Sequence, residues 1–586
     1  MSESISNRRL LLRRARPEWP SAVTVVRYVV PVVLTGLVVG FFGTHGLNMM
    51  DGGLILAESH RLLQGEIPHA DFITPRPAGS AFVHLIDFAL PLPLLLASRL
   101  VTVAEFVAYG TLFGLLTFRC GWRQLGVPHV IAIAAATLVN MHTFPLIPFY
   151  TIDGLVLVGA GFVLIDRAIA SDSVMPATAG ALALGAVVTV KQSFWFAPIL
   201  GVVWVLLASR RGGRIRRALP RMILVASMPA IAYVCFVAAG GGLSEMRAQL
   251  TNASPVWGET LVDPFRVEGW PFFVLRLAAI SALYLAILGS SALRKSKGEL
   301  PIEHRVIDVT LRLTLTYLIL SLALAEDLGY NRNWSERLFW CAFAVIALRS
   351  IVRRQLDVAG AVVVSTAWMV ALSWGAPTPG LLGGTVALYV IYRTWQDARL
   401  PVSLRSQSFV LAGVAAALFF VAHVFATVRL DSEYGVPVAS MTYELGSIAT
   451  TLRGVRADPA NASYLKDVVN CRDQYPARSV GVIPEGALAY PTLGLTNPFP
   501  IDWFWHDDYR GAGRERLLEA TEELARRGDY LVLFQTQPLG RPDLARPGTI
   551  APFYSDPALA DEIRARLVGP EFQCGQFVAV YRPAAG

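Results

Sequence analysis

Between the first long apolar segment and the next lies a stretch dense in groups that can do chemistry: M-D-G-G-L-I-L-A-E-S-H-R-L-L-Q-G-E-I-P-H-A-D-F-I-T-P-R-P-A-G, from Met50 to Gly79. Asp51 stands where the first apolar segment would leave a bilayer. A carboxylate held at that depth is suited to take a proton from an attacking hydroxyl, as a general base does. Leu54 to Leu63 has helical apolar spacing with Glu58, His60 and Arg61 interleaved, the pattern of a short helix lying at a membrane interface. Gly65 ends it, Pro68 turns the chain, and Asp71 to Pro77 reads as a rigid extended segment carrying Arg76. Further on, Asp153 in F-Y-T-I-D-G and Lys191 in V-T-V-K-Q-S-F-W place charges at the ends of apolar segments. A cation at Arg76 or Lys191 would neutralise charge developing on a departing phosphate. Each residue also has a plainer use. Asp51 could be an interfacial acidic cap, Arg76 a headgroup contact, Lys191 a snorkelling side chain and Asp153 a helix cap.

Composition dictates the elements that must hold these groups. Of 586 residues, 54% are hydrophobic and 16% charged, against about 25% charge in an ordinary soluble domain. Mean hydropathy is +0.49. The apolar runs approach the roughly 20 residues that one crossing needs, which excludes a string of soluble domains. A net charge of +8 does not point to nucleic acid, because the arginines sit in short loops beside the apolar runs. Arg8, Arg9, Arg13, Arg14 and Arg16 precede the first, and Arg210, Arg211, Arg214, Arg216, Arg217 and Arg221 fill one loop between two others. That is the positive-inside pattern. The segment from Arg27 to His45 lacks a small-residue cleavage site and leads into further apolar runs, so it reads as a retained span.

With the N-terminus in the cytoplasm, alternation of the basic loops predicts about 13 crossings. The region from Ala78 to Phe118 reads either as two spans or as one span preceded by an interfacial helix; Arg119 and Arg123 favour the second. Ala177 to Ala208 reads as two crossings meeting at an outer turn around Lys191. The expected organisation is a cytoplasmic tail (1–26), a transmembrane domain (27–429) whose first outer loop is 45–77, and an extracytoplasmic α/β domain (430–586). In that last part charge rises. β-rich runs at Ser479 to Ile483, Tyr530 to Gln535 and Phe577 to Tyr581 alternate with amphipathic ones at Ala462 to Arg472, Gly513 to Arg526 and Leu559 to Leu567. Cys471 and Cys574 are the two cysteines beyond the last span, in a compartment that permits oxidation, and are expected to form a disulfide. A polar, aromatic outer loop carries Glu326, Asp327, Tyr330, Asn331, Arg332, Asn333 and Trp334. There is no internal repeat.

Asp51 at the end of the first span, followed by A-E-S-H-R-L-L-Q-G-E-I-P-H-A-D-F and T-P-R-P-A-G, resembles the first outer loop of GT-C fold glycosyltransferases. That superfamily includes protein O-mannosyltransferases and the lipid A aminoarabinose transferase. The resemblance implies a polytopic helical fold and transfer of a sugar from a polyprenyl-phosphate donor to a cell-envelope glycan, lipid or protein, among membrane lipids. It implies Asp51 as the catalytic carboxylate, with Arg76, Lys191, Asp153 and Asp71 as substrate-binding residues. Gly52 stands where an acid is common in the family, and His69 where Tyr is usual. Some members use a divalent cation; for this chain the cofactor is left open, and no Cys-pair or His-x-Glu zinc pattern is present. The alternatives are a carrier or flippase for a lipid-linked sugar and a catalytically inactive scaffold of the same fold.

Overall fold

The computed structural model describes residues 22–209, 212–252, 270–297, 301–324, 332–372, 380–396, 407–431, 436–505, 508–509, 512–537 and 557–584. The chain is mainly helical. Each apolar run forms a helix: α1 (Ala22–Phe41), then α2 (Asp51–Leu63) in the first outer loop, the short α3 (Gly79–Val83) and α4 (Leu85–Ala89), and the long α5 (Leu94–Phe118). After these come α6 (Val127–Met141), α7 (Tyr150–Ser171), α8 (Val174–Ala186) and α9 (Phe196–Ala208). Later apolar helices are Leu219–Ala239, Trp270–Lys297, Ile302–Ala323, Arg332–Arg353, Val358–Ala371, Gly383–Gln396 and Gln407–Asp431. Among the described residues, five helices are long and apolar enough to cross a membrane. Their outer faces are apolar too: Val32 is 71% and Leu224 62% exposed, a surface that calls for lipid rather than water.

The ambiguous region after Gly79 resolves into two short helices and one long one. Pro91 and Pro93 break the chain and α5 then runs for 25 residues, so one long helix follows two short ones. Lys191 lies where α8 passes through a short 3-10 turn (Val187–Thr189) and the chain restarts at Gln192 before α9. At one end of the bundle Arg119 pairs with Asp166, and Asp172 accepts from the backbone N–H groups of Arg214 and Ile215. The loops carrying the candidate residues meet at the other end. The loop at 326–331 and the arginines before residue 22 lie outside the described residues.

The C-terminal part folds around two small sheets. β1 (Tyr443–Glu444) pairs antiparallel with β2 (Arg456–Ala457). β3 (Ser479–Ile483), β4 (Tyr530–Gln535), β5 (Glu571–Cys574) and β6 (Phe577–Arg582) form a sheet of order β3-β4-β6-β5, parallel at β3/β4 and antiparallel elsewhere. Val482, Leu531, Leu533 and Phe577 face helix Pro459–Gln474, through Tyr464, Leu465 and Val468. Tyr530, Val532, Phe534 and Val580 face helices Ala512–Arg527 and Pro557–Arg566 on the other side. Both faces of β3 and β4 and most of β6 are covered, so these strands are mainly apolar rather than alternating, whereas the edge strand β5 is largely exposed. Cys471 and Cys574 are disulfide-bonded, with Cα atoms 5.9 Å apart, inside the range that the bond requires.

Candidate functional site

The site is built on α2. Asn48 Oδ1 accepts from the backbone N–H groups of Met50 and Gly52, each at 3.0 Å, which satisfies orphan donors at the helix start and sets Asp51 in the first turn. The helix ends as expected at Gly65, whose φ of 87° suits glycine. Its setting differs from the expected one. Gly52 to Ser59 and Arg61 are buried, so α2 is not a helix resting among headgroups. Leu54 and Ile55 pack on Tyr150 and Val190 of the helical bundle, while Leu56 packs with Val482, Leu488 and Tyr490 of the C-terminal part.

The polar groups that gave α2 its amphipathic look have protein partners. Glu58 accepts from Tyr150 Oη at 2.9 Å. Ser59 Oγ lies 2.9 Å from the Ala81 carbonyl oxygen. The Arg61 guanidinium donates to Asp502 at 2.8 Å, Glu66 at 2.7 Å and the Phe499 carbonyl at 2.7 Å. Gly52 also has a steric explanation. A Cβ there would come 2.9 Å from Asn48 Cβ and 3.0 Å from Ile147 Cγ2, leaving no room for an acidic side chain.

The segment from Asp71 to Pro77 is stitched in place from both sides. Ile73 N–H donates to the Pro500 carbonyl, Thr74 N–H to Gln249 Oε1, and Gln192 Nε2 to the Pro75 carbonyl. This lays Arg76 next to the break at Lys191. The Arg76 guanidinium sits 5.1 Å over the Tyr150 ring. Lys191 Nζ donates to Thr151 Oγ1 at 3.1 Å and lies 5.2 Å from the centre of the Phe149 ring. Both cations act on Asp51. Burial raises the Asp51 carboxyl above its ordinary range, while Arg76 and Lys191 pull it down. Burial likewise lifts Glu58 to about 7, against the hydrogen bonds from Tyr150 and Thr74. His69 bridges Tyr233 Oη and Gln249 Oε1 at 2.8 Å each, and burial lowers its imidazole to about 4.

Asp51, Arg76 and Lys191 are therefore brought together. Asp71 and Asp153 are placed elsewhere. Asp71 is exposed; its carboxylate accepts from the Ile67 N–H at 2.6 Å and lines a polar groove of 550 Å³ that also includes Arg61, Asn497 and Arg516. Asp153 lies 3.3 Å from His84 Nε2, among Glu105 and Asp87. It does not cap α7, whose N-cap is Phe149.

Three residues near the site were not singled out from the sequence as site residues. Glu58 lies two turns beyond Asp51 on the same helix, a spacing visible in the sequence. Trp503 packs with Leu54, Ile55 and Val190, and Asp508 is the foremost acid acting on Arg76. Both belong to I-D-W-F-W-H-D-D-Y, a run whose density of aromatic and acidic groups was its signal.

No protein-family model and no curated protein matches the chain. Among solved structures, the arabinosyltransferase EmbB from Mycobacterium smegmatis is similar, with 14% identity and a TM-score of 0.31 over 73% of this chain and 43% of that one. The chain thus matches less than half the length of that neighbour.

Proposed function

We propose that the chain is an integral membrane glycosyltransferase that passes a sugar from a polyprenyl-phosphate carrier to a glycan, lipid or protein acceptor of the cell envelope. The observation carrying this reading is one half-buried carboxylate, Asp51, acted on by two cations from separate elements, Arg76 and Lys191. The acceptor hydroxyl oxygen bonds to the anomeric carbon, and the bond from that carbon to the phosphate oxygen breaks. The hydroxyl proton passes to Asp51. The electron pair of the broken bond stays on the phosphate, where Arg76 and Lys191 meet the developing charge. The upward shift of Asp51 favours this role, since a base works best with a pKa near the working pH.

An apolar cavity of 310 Å³, lined by Leu184, Val188, Pro198 and Met222, flanks the break that carries Lys191. Its lining suits a polyprenyl chain whose phosphate sits at that lysine. The experiment is Asp51→Asn, which keeps the shape but accepts no proton. Transfer should fall by roughly 10²–10⁴-fold while expression and membrane insertion stay normal, read by mass spectrometry of envelope glycans in a complemented deletion strain. Transfer at the wild-type level would overturn the assignment.

A further inference from the structure

We propose that His84, Glu105 and Asp153 form a binding site for a divalent transition-metal ion of the Zn²⁺ type, with Asp87 orienting the imidazole. Three elements supply the ligands: His84 at the junction of α3 and α4, Glu105 in α5, and Asp153 in the first turn of α7. One ligand atom from each lies within 4.8 Å of the others. His84 Nε2 is 3.3 Å from Asp153 Oδ1 and 4.0 Å from Glu105 Oε2. A four-coordinate ion with bonds of about 2.0–2.1 Å holds neighbouring ligands roughly 3.3 Å apart, so Asp153 already has that spacing and Glu105, at 4.0 Å, is slightly wider.

Two further observations point to a cation. His84 Nδ1 is 2.9 Å from Asp87 Oδ2, the arrangement in which a carboxylate fixes the tautomer of a metal-binding histidine and leaves the other nitrogen's lone pair free to coordinate. In addition, Asp87 Oδ1, Glu105 Oε2 and Asp153 Oδ2 are buried and take no hydrogen bond from the described residues, although Asp87 and Asp153 are 1% and 2% exposed. Buried carboxylate oxygens without donors are costly, and an ion carrying two positive charges offsets the two ligand carboxylates. A mixed nitrogen and oxygen set favours Zn²⁺-like ions over Ca²⁺ or Mg²⁺, which take oxygen ligands. The competing arrangement, with no metal, is a His84 imidazolium that donates to both Asp87 and Asp153, with a proton shared between Glu105 and Asp153.

The site does not depend on the glycosyl-transfer reading, since Asp51, Arg76 and Lys191 are not among its ligands. It would brace the start of α7, from which Tyr150 and Thr151 reach Glu58 and Lys191. The test uses the full chain in detergent or nanodiscs, stripped with chelator and then given Zn²⁺, Co²⁺ or Ca²⁺ alone. The wild type should keep about one Zn²⁺ after desalting, by elemental analysis, and Co²⁺ should give the visible bands of a nitrogen- and oxygen-ligated ion. The near-isosteric Glu105→Gln and Asp153→Asn should lose the metal. Asp87→Asn should weaken binding by roughly 10–100-fold. If the ligand variants fail to fold, the Co²⁺ spectrum of the wild type decides. Zn²⁺ retention no greater than in the monodisperse ligand variants, no Co²⁺ bands, or retention of Ca²⁺ alone would each overturn the proposal.

Discussion

Burial and charge pull on Asp51 in opposite directions, and the same contest sets the pH behaviour of its neighbours. Glu58 titrates at about 7 in the folded protein against an ordinary 4.5. A raised carboxyl contributes stability that is fully present below its unfolded value and is lost as pH rises through the folded one. Glu58→Gln keeps a partner for Tyr150 and cannot ionise, so it should gain stability relative to wild type as pH rises from 4.5 to about 7. His69 acts in the opposite sense. Its imidazole is lowered from 6.5 to about 4, so the unfolded chain takes up a proton first. The wild type should therefore lose stability relative to His69→Gln as pH falls through that window. Thermal unfolding of the purified protein across pH 4 to 8 checks both signs; parallel curves for either variant and wild type would refute that residue's assignment.

At the scale of elements, the approach of α2 to the C-terminal part is close enough to exclude a methyl group. A Cβ on Gly53 would lie 2.1 Å from the Leu488 backbone nitrogen, and Leu488 N–H donates to the Met49 carbonyl at 3.1 Å. Gly53→Ala should destabilise by about 1–3 kcal/mol, seen as an earlier melting transition and faster proteolysis after residue 436; an unchanged transition would show that the two parts can separate freely.

This contact also explains what the sequence concealed. The existence of α2 and its end at Gly65 were legible, because Gly65 and the apolar spacing are local signals, whereas its start at Asp51 lies three residues before the expected Leu54. Its burial was not legible. Glu58 and Arg61 look like groups seeking headgroups until Tyr150, 92 residues away, and Asp502, 441 residues away, are brought to them. Periodicity reports which face is apolar and says nothing of distant partners for the polar one. Trp503 and Asp508 escaped for the same reason. The strands at β3, β4 and β6 were legible as dense apolar runs, whereas β5 escaped because Glu571–Cys574 has four residues, two of them polar.

For the whole molecule, the reading places residues 430–586 outside the cytoplasm with Asp51. A C-terminal alkaline phosphatase fusion should be active and a fluorescent-protein fusion dark, and the opposite pattern would overturn the topology. The disulfide gives an independent check. Cys471 and Cys574 are 103 residues apart, and closing a loop of that length stabilises by up to about 4.7 kcal/mol in the chain-entropy model. In denatured, unreduced protein neither thiol should react with an alkylating reagent, and both should after reduction. Labelling of both without reductant would show that the bridge does not form in the cell.

The ion pair between Arg61 and Asp502, at 2.8 Å, sets an order for biogenesis. Arg61 leaves the ribosome more than 400 residues before its partner, so throughout synthesis the helix bearing Asp51 has nothing to lie against on one side, and its guanidinium must stay hydrated. That side of the helix is covered only after the C-terminal part, which carries Asp502, has been made and folded. A nascent or prematurely terminated chain can thus form its apolar helices and still leave one side of the Asp51 helix uncovered. On the proposed function, membrane insertion and acquisition of activity become separable events, and a chain cut short before Asp502 should insert and show no transfer.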